Sequence, residues 1–139
     1  MSVKTEEKKV LVTKEVAESE VNKWLDFKRV KNYKREDLKK VIKVLQELVS
    51  EGDLIVNSDG TLTYNLAFEN AGVKSVTIQP RINMIEFNER IARIAPVEQN
   101  DMEITSVILS IITGEMNAVF KTLDTVDYEI LKAISLFFQ

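Results

Sequence analysis

Apolar residues at helical spacing predict two amphipathic helices in the first third of the chain. In the first, Thr13 stands at the N-cap position, and the helix is expected to end near Val30. Its apolar stripe consists of Val16, Ala17, Val21, Trp24 and Leu25. The second predicted helix has one apolar face at Leu38, Val41, Ile42, Leu45, Leu48 and Val49. Gly52 can end it because glycine readily adopts positive φ. Before both helices, residues 10–12 (VLV) predict a short strand.

The hydrophobic period changes from that of a helix to that of a strand after Gly52. Residues 53–68, DLIVNSDGTLTYNLAF, predict two strands joined by a turn from Asn57 to Gly60. In the second strand the alternate apolar residues are Leu62, Tyr64, Leu66 and Phe68. The segment VKSVTIQP predicts a third strand, which Pro80 ends because proline donates no N–H to a ladder.

Helical spacing returns after Pro80. It predicts a helix from Ile82 to Ile94, followed by a linker that begins at Pro96. The next segment, MEITSVILSIITG, is apolar on nearly all sides, so we expect a helix that is buried by the fold or by a partner. A short helix in EMNAVFKTL and a last helix after the N-cap residue Asp124 complete the chain. In that last helix, Asp127 occupies a first-turn position where a carboxylate favours the helix dipole.

These elements predict an α+β, mostly helical fold class. It has an N-terminal helix pair, a central antiparallel β-hairpin plus a third strand, and a C-terminal helical bundle. We expect a basic helical extension at 1–52 and a second unit at 53–139, with one continuous core as the alternative. The length of 139 residues is that of one ordinary domain.

Composition argues against an enzyme. The chain contains no histidine and no cysteine, so the usual zinc, haem, thiol and acid–base groups are missing. We therefore predict no catalytic residue, no cofactor and no metal site. Three carboxylate pairs are interpreted as helix caps or solvated faces. They are Asp124 with Asp127, Glu86 with Glu89, and Asp101 with Glu103.

No segment predicts a membrane partner or export. The longest apolar run, from Val107 to Ile112, is broken by Ser110 and is too short to cross a bilayer. The start of the chain, MSVKTEEKK, lacks the apolar centre of a secretory signal. We expect an intracellular protein.

Charge is distributed unevenly along the chain. Residues 1–50 contain 13 Lys and Arg against 9 Asp and Glu, a net charge of +4, whereas residues 51–139 contain 6 against 13, a net charge of −7. Such asymmetry indicates either a half that faces nucleic acid or a dipolar subunit that associates with its own copies.

A basic helix followed by a hairpin is also the order of a winged-helix DNA-binding domain. In this interpretation the residues that face phosphates are Lys31, Lys34, Arg35, Lys39, Lys40 and Lys43. However, Glu36 and Asp37 stand where residues that contact bases belong. A solvated lysine face is the simpler interpretation, and nucleic acid is not the preferred partner.

The C-terminal helices carry more apolar surface than a chain end normally covers. Each large side chain left exposed forgoes about 1.5 to 3 kcal/mol, so we expect a partner to cover this region. The predicted partner-binding residues are Val107, Ile108, Ile111, Ile112, Val126, Tyr128, Ile130, Leu131, Ile134, Phe137 and Phe138. The alternative is that the sheet and the 82–94 helix cover them within one subunit.

From Leu62 onward the chain has a distinctive order of features. A strand pair in TYNLAFENAGVKSVTIQP precedes a helix, a short helix ending in ITG, and the closing segment LDTVDYEILKAISLFF. The closing segment contains Leu123 and Asp124, a second aspartate three residues later, and the pair Phe137–Phe138. This order resembles the tail assembly chaperones of contractile and long-tailed bacteriophages. Residues 1–60 do not share the resemblance.

The resemblance implies a protein that binds the tape measure protein in the host cell cytoplasm until the tail tube protein replaces it. It also implies, in many members, a longer form made by ribosomal frameshifting near the end of the reading frame. Our hypothesis is a non-enzymatic tail assembly chaperone, with self-association as a further expectation. The alternatives are a structural tail or baseplate subunit of the virion and the winged-helix DNA-binding protein.

Overall fold

The computed structural model of the protein describes residues 11–94 and 96–139. Within these ranges it contains seven α-helices and one three-stranded antiparallel sheet, which confirms the predicted α+β, mostly helical fold class. The elements are α1 Lys14–Lys28, α2 Asn32–Asp37, α3 Lys39–Glu51, β1 Leu54–Val56, β2 Leu62–Asn70, β3 Val73–Ile78, α4 Met84–Ala92, α5 Asp101–Thr113, α6 Asn117–Lys121 and α7 Thr125–Ser135. Short 3-10 turns occur at Pro96–Glu98 and Leu136–Phe138.

The two N-terminal helices, α1 and α3, form where the sequence predicts them and pack against each other. Thr13 caps α1, since its hydroxyl accepts a hydrogen bond of 3.2 Å from the Val16 N–H. Gly52 ends α3 in the left-handed conformation, with φ 81°. The short helix α2 was not predicted separately; it is divided from α3 by Leu38, whose φ of −106° lies outside helical geometry.

The predicted strand at residues 10–12 is wrong for the two of its residues that the structure describes. The N–H groups of Leu11 and Val12 both donate to the carbonyl oxygen of Ser50, at 2.7 and 3.3 Å. The carbonyl of Ser50 lies in the last turn of α3, where carbonyl groups lack a partner within the helix, and these two N–H groups supply one. Leu11 and Val12 therefore do not pair with a strand. Val10 lies outside the described residues.

The sheet has the order β1-β2-β3, with Ile55 opposite Thr63 and Tyr64 opposite Val76. Leu62 and Tyr64 are buried as the alternation predicts. The alternation fails further along β2, where Phe68 is 55% exposed. The reason is a register shift between Asn65 and Asn70, which turns this end of β2 away from regular pairing with β3.

The carboxylate of Asp127, fully buried in α7, binds this irregular part of β2. Its Oδ1 accepts hydrogen bonds from the Tyr64 hydroxyl at 2.7 Å and the Ala67 N–H at 2.8 Å, and its Oδ2 accepts one from the Phe68 N–H at 3.0 Å. Burial, and then the hydrogen bond to Asp127, raises the pKa of Tyr64 above its usual range, so the phenol remains a donor. The sequence predicted only a dipole contact for Asp127, and its role as the link between α7 and the sheet was missed.

One hydrophobic core contains side chains from both halves of the chain. Trp24 of α1 and Leu45 of α3 are buried in the same cluster as Ile78 of β3, Leu109 of α5 and Leu131 of α7. The basic N-terminal helices therefore pack together with the sheet and the C-terminal helices.

We predict that Asp127→Asn lowers the free energy of unfolding by about 1 to 3 kcal/mol, because an amide has one acceptor oxygen for the three donors and its NH2 group faces at least one of them. Glu129→Gln is the matched control, since Glu129 is an exposed acid on the same helix. Urea unfolding followed by circular dichroism measures both variants. Equal stability of the two variants would contradict the role given to Asp127.

Candidate partner-binding site

Most of the predicted partner-binding residues lie inside the protein. Seven of the eleven are buried: Val107, Ile108, Ile112, Leu131, Ile134, Phe137 and Phe138. Ile111, Tyr128 and Ile130 are half-buried, and Val126 alone among the eleven is exposed, at 50%.

Helix α5 is buried because four elements surround it. It packs against α4, α6, α7 and β3, and the Gln79 N–H at the end of β3 donates to the Ile112 carbonyl oxygen at 2.7 Å. The small polar side chains that interrupt its apolar surface, such as Thr105 and Ser110, are buried with it. A helix that is apolar on nearly all sides is therefore covered by its own chain.

The terminal turn, Leu136–Phe138, is covered by the first helix of the chain. The rings of Phe137 and Trp24 meet edge to face, with centroids 5.3 Å apart and an interplanar angle of 82°. The ammonium group of Lys28 lies 3.6 Å from the centroid of the Phe138 ring. Lys34 also donates a hydrogen bond to the main-chain oxygen of Gln139.

The expectation that this apolar surface lacks cover within the chain is therefore wrong. Ile134 is fully buried, and Phe137 and Phe138 are only 4% and 7% exposed. The sequence pattern shows that α7 needs cover on two sides, but it does not show which distant element supplies that cover. Helix α5 and strand β2 pack against α7, and α1 contacts its terminal turn. The alternative of cover within one subunit is the one that agrees with the structure.

Lys28 is held in a partly buried position at this contact. Its ammonium group donates to the Pro80 carbonyl oxygen at 3.1 Å. Burial, with smaller contributions from Arg81 and Lys34, lowers the pKa of Lys28 from 10.5 to about 8. Arg81 itself donates to the carbonyl oxygens of Lys28 and Phe27, at 2.8 and 3.1 Å, and so caps the end of α1.

The basic residues of the winged-helix alternative do not form one free surface. Lys31, Lys39, Lys40 and Lys43 are exposed. Lys34, however, is bonded to Gln139, and Arg35 is bonded to the Asp26 carboxylate at 3.0 Å and the Val30 carbonyl oxygen at 2.8 Å. Helices α2 and α3 are separated by Leu38 alone, whereas a helix-turn-helix motif has a turn of about three or four residues.

Several apolar residues of the C-terminal half are exposed, among them Phe68, Met116 and Val126, and four lie on α4 and on the segment that leads into and begins α5. Met84 is 53% exposed, Ile85 71%, Val97 93% and Met102 46%. We call these four residues the α4–α5 apolar surface. These four residues were not among the predicted partner-binding residues.

The inner face of α4 is set by other residues. Phe87, Ile91 and Ile94 are half-buried, and the guanidinium of Arg90 donates to Ser110 Oγ at 2.9 Å and Asn117 Oδ1 at 2.7 Å. These contacts fix the rotation of α4 against α5. Because Arg90 is charged, a hydrophobic pattern does not show that it faces α5 and α6.

The described residues, 11–94 and 96–139, contain neither a metal-binding cluster nor a membrane-spanning helix. Among these residues, no group of three or more acidic side chains is arranged to hold a metal ion. None of the described helices combines the length and the apolar character that a membrane span requires.

No protein-family model, no curated protein and no solved structure matches this chain. The fold and the surfaces described above are therefore the basis of any functional argument, together with the resemblance of the C-terminal half.

We predict that Ile134→Asp and Phe137→Asp each destabilise the protein by more than about 3 kcal/mol, since each places an unpaired charge in the core. Val126→Asp, on the exposed side of α7, is the control and is expected to change stability by less than about 0.5 kcal/mol. Thermal unfolding of the purified variants tests this. If the Ile134 and Phe137 variants were as stable as the wild type, the result would instead support the predicted partner-binding face of α7.

Lys28 predicts a specific pH dependence. Between pH 8 and 10.5 the unfolded chain keeps the Lys28 proton while the folded protein loses it, so stability gains a contribution that grows as pH rises through this window. Lys28→Met lacks this contribution. The difference in unfolding free energy between the wild type and the variant should therefore change by about 1 to 2 kcal/mol from pH 7 to pH 10, in favour of the wild type. This range is smaller than the full pKa shift would give, because the ammonium group is partly exposed to solvent. Parallel urea titrations measure the difference, and a difference that stays constant with pH would refute the assignment.

Proposed function

We propose that this protein is a non-enzymatic bacteriophage tail assembly chaperone that binds the tape measure protein in the host cell cytoplasm. The proposed binding site is the α4–α5 apolar surface, and not the faces of α5 and α7 that pack in the core. The tail tube protein would then displace the chaperone as the tail tube is built.

The observation that carries this proposal is the exposure of Met84, Ile85, Val97 and Met102. Covering an exposed side chain of this size gains about 1.5 to 3 kcal/mol, so four of them favour binding of an apolar partner. Two of the four are methionines, whose unbranched and polarizable side chains adapt to different neighbours. Such a surface suits a long partner whose sequence varies along its length.

Charge around the surface favours a partner with basic residues. Glu86, Glu89 and Asp101 are exposed beside the apolar residues. Charged rims of this kind mainly affect the rate and specificity of association and leave it reversible. Reversible binding is what a chaperone that is later displaced requires.

The resemblance supports the same proposal from the sequence. The α4–α5 apolar surface lies in the half of the chain, from Leu62 onward, that resembles the chaperones. Within that half, Asp124 caps α7 through a 2.9 Å hydrogen bond to the Val126 N–H, and Asp127 binds β2. The aspartates that carry the resemblance therefore have folding roles, so the pattern is an argument for a shared architecture.

We predict that the double variant Met84→Asp/Ile85→Asp stays folded and loses at least about tenfold in affinity for the tape measure protein, because two charges would replace exposed apolar contacts. Val44→Asp, at an exposed apolar position on α3, is the matched control and should bind like the wild type. Co-expression with a tape measure protein, followed by affinity purification, measures binding.

Wild-type binding by the Met84/Ile85 variant would overturn the proposed surface. Failure of the wild type to co-purify with any such partner would overturn the chaperone function. Recovery of the protein in purified mature particles would favour a structural virion subunit instead.

A further inference from the structure

A groove runs between helix α1 and the outer edge of strand β1. It consists of two cavities of about 360 and 350 Å³ that share Glu20 and Val56. The first is lined mainly by apolar side chains, including Leu11, Val16 and Ile55. The second continues past Val56 to the β1–β2 turn and is lined by Phe27, among others. This groove lies outside the half of the chain that resembles the chaperones, so a role for it is independent of the proposed function.

The edge of β1 that faces away from β2 has main-chain groups without a hydrogen-bond partner among residues 11–94 and 96–139. Residues 53, 55 and 57 form the hydrogen-bonded pairs with β2, as the Asn65 N–H to Asp53 O and Asn57 N–H to Thr61 O bonds show. Because bonding alternates along an antiparallel pair, the N–H and C=O groups of Leu54 and Val56 point outward. In the described chain these outward groups have no hydrogen-bond partner.

The helix side of the groove has apolar residues at its two ends and a carboxylate between them. Val16 and Phe27 are 45% and 48% exposed, and Glu20 lines both cavities. The one ion pair of Glu20 among the described residues is to Lys23, at 3.4 Å on the surface, and such pairs contribute little. The carboxylate therefore remains available to a cation.

We infer that this groove binds an extended segment of a partner protein, which adds as a fourth strand to the outer edge of β1. The main-chain groups of Leu54 and Val56 would bond to the segment, as in other cases of strand addition. The segment would carry apolar residues at alternate positions, which contact Leu11, Val16 and Ile55, and a lysine or arginine near Glu20. The strand Leu54–Val56 and the turn beyond it offer room for about four or five extended residues.

Two features favour an extended segment over a helix. A helix satisfies its own main-chain groups and would leave the edge of β1 unpaired, whereas a strand satisfies both partners. The first cavity is lined mainly by apolar residues, with Glu20 as its one acidic residue, and Lys23 in the second cavity forms only a weak surface pair with Glu20. A basic residue of an extended segment can therefore compete for the Glu20 carboxylate.

The test uses a synthetic nonapeptide, Val-Thr-Val-Thr-Lys-Thr-Val-Thr-Val, with capped ends, and the full-length protein. In an extended peptide the central lysine lies on the same face as the four valines, so both kinds of side chain can face α1. Isothermal titration should give a dissociation constant below about 1 mM. A version N-methylated at alternate residues, which cannot donate to the strand edge, should bind at least about tenfold more weakly. In Glu20→Lys the preference should reverse, so that the peptide with Glu in place of Lys binds better.

Val16→Asp and Ile55→Asp should each weaken binding at least about tenfold, while Val44→Asp, at a comparably exposed position on α3, should not. If either groove variant fails to fold, the comparison of the unmodified and the N-methylated peptide on the wild-type protein still tests the inference. Absence of binding, equal binding of the N-methylated peptide, or equal effects of the groove and control variants would each overturn the inference. A dimer of the protein alone that Ile55→Asp dissociates would assign the groove to a second copy, and would also overturn it.

Discussion

The contact between Trp24 and Phe137 joins the first helix of the chain to its last turn, and so brings α1 into the same core as the C-terminal helices. The turn after α7 contains Phe137 and Phe138, which α7 cannot cover by itself. Helix α1 supplies the cover through Trp24 and through the aliphatic stem and ammonium group of Lys28. On the other side, Asp127 binds α7 to the main chain of β2. The apolar end of the chain is thus an internal element of one core.

This arrangement changes where a partner can bind. Most of the predicted partner-binding side chains, such as Ile134 and Phe137, are buried in the core. Exposing them to bind a partner would therefore destabilise the fold. The surface that we propose for the tape measure protein, the α4–α5 apolar surface, consists of exposed side chains outside this core. A binding function and a stable monomer are then compatible, because different residues carry them.

Much of the local structure was predictable from the sequence. Caps at Thr13 and Asp124, the stop at Gly52 and the turn before Thr61 are determined by near neighbours, and they occur where expected. Non-local choices were not predictable. Whether a partner or α1 covers Phe137, and whether Asp127 contacts a helix end or a strand, depends on elements about 60 to 110 residues away. The inward position of Arg90 could not be predicted for a similar reason, since its polar partners lie on α5 and α6.

The most direct test of this account is hydrogen exchange of the isolated, monomeric protein. If α1 and β2 cover α7, the amides of residues 127–137 exchange only through global unfolding, with protection equal to that of α5. If instead the C-terminal helix waits for a partner, its amides exchange at rates close to those of an unstructured chain while α1, α3 and the sheet remain protected. The first result is the one we predict, and the second would contradict the account.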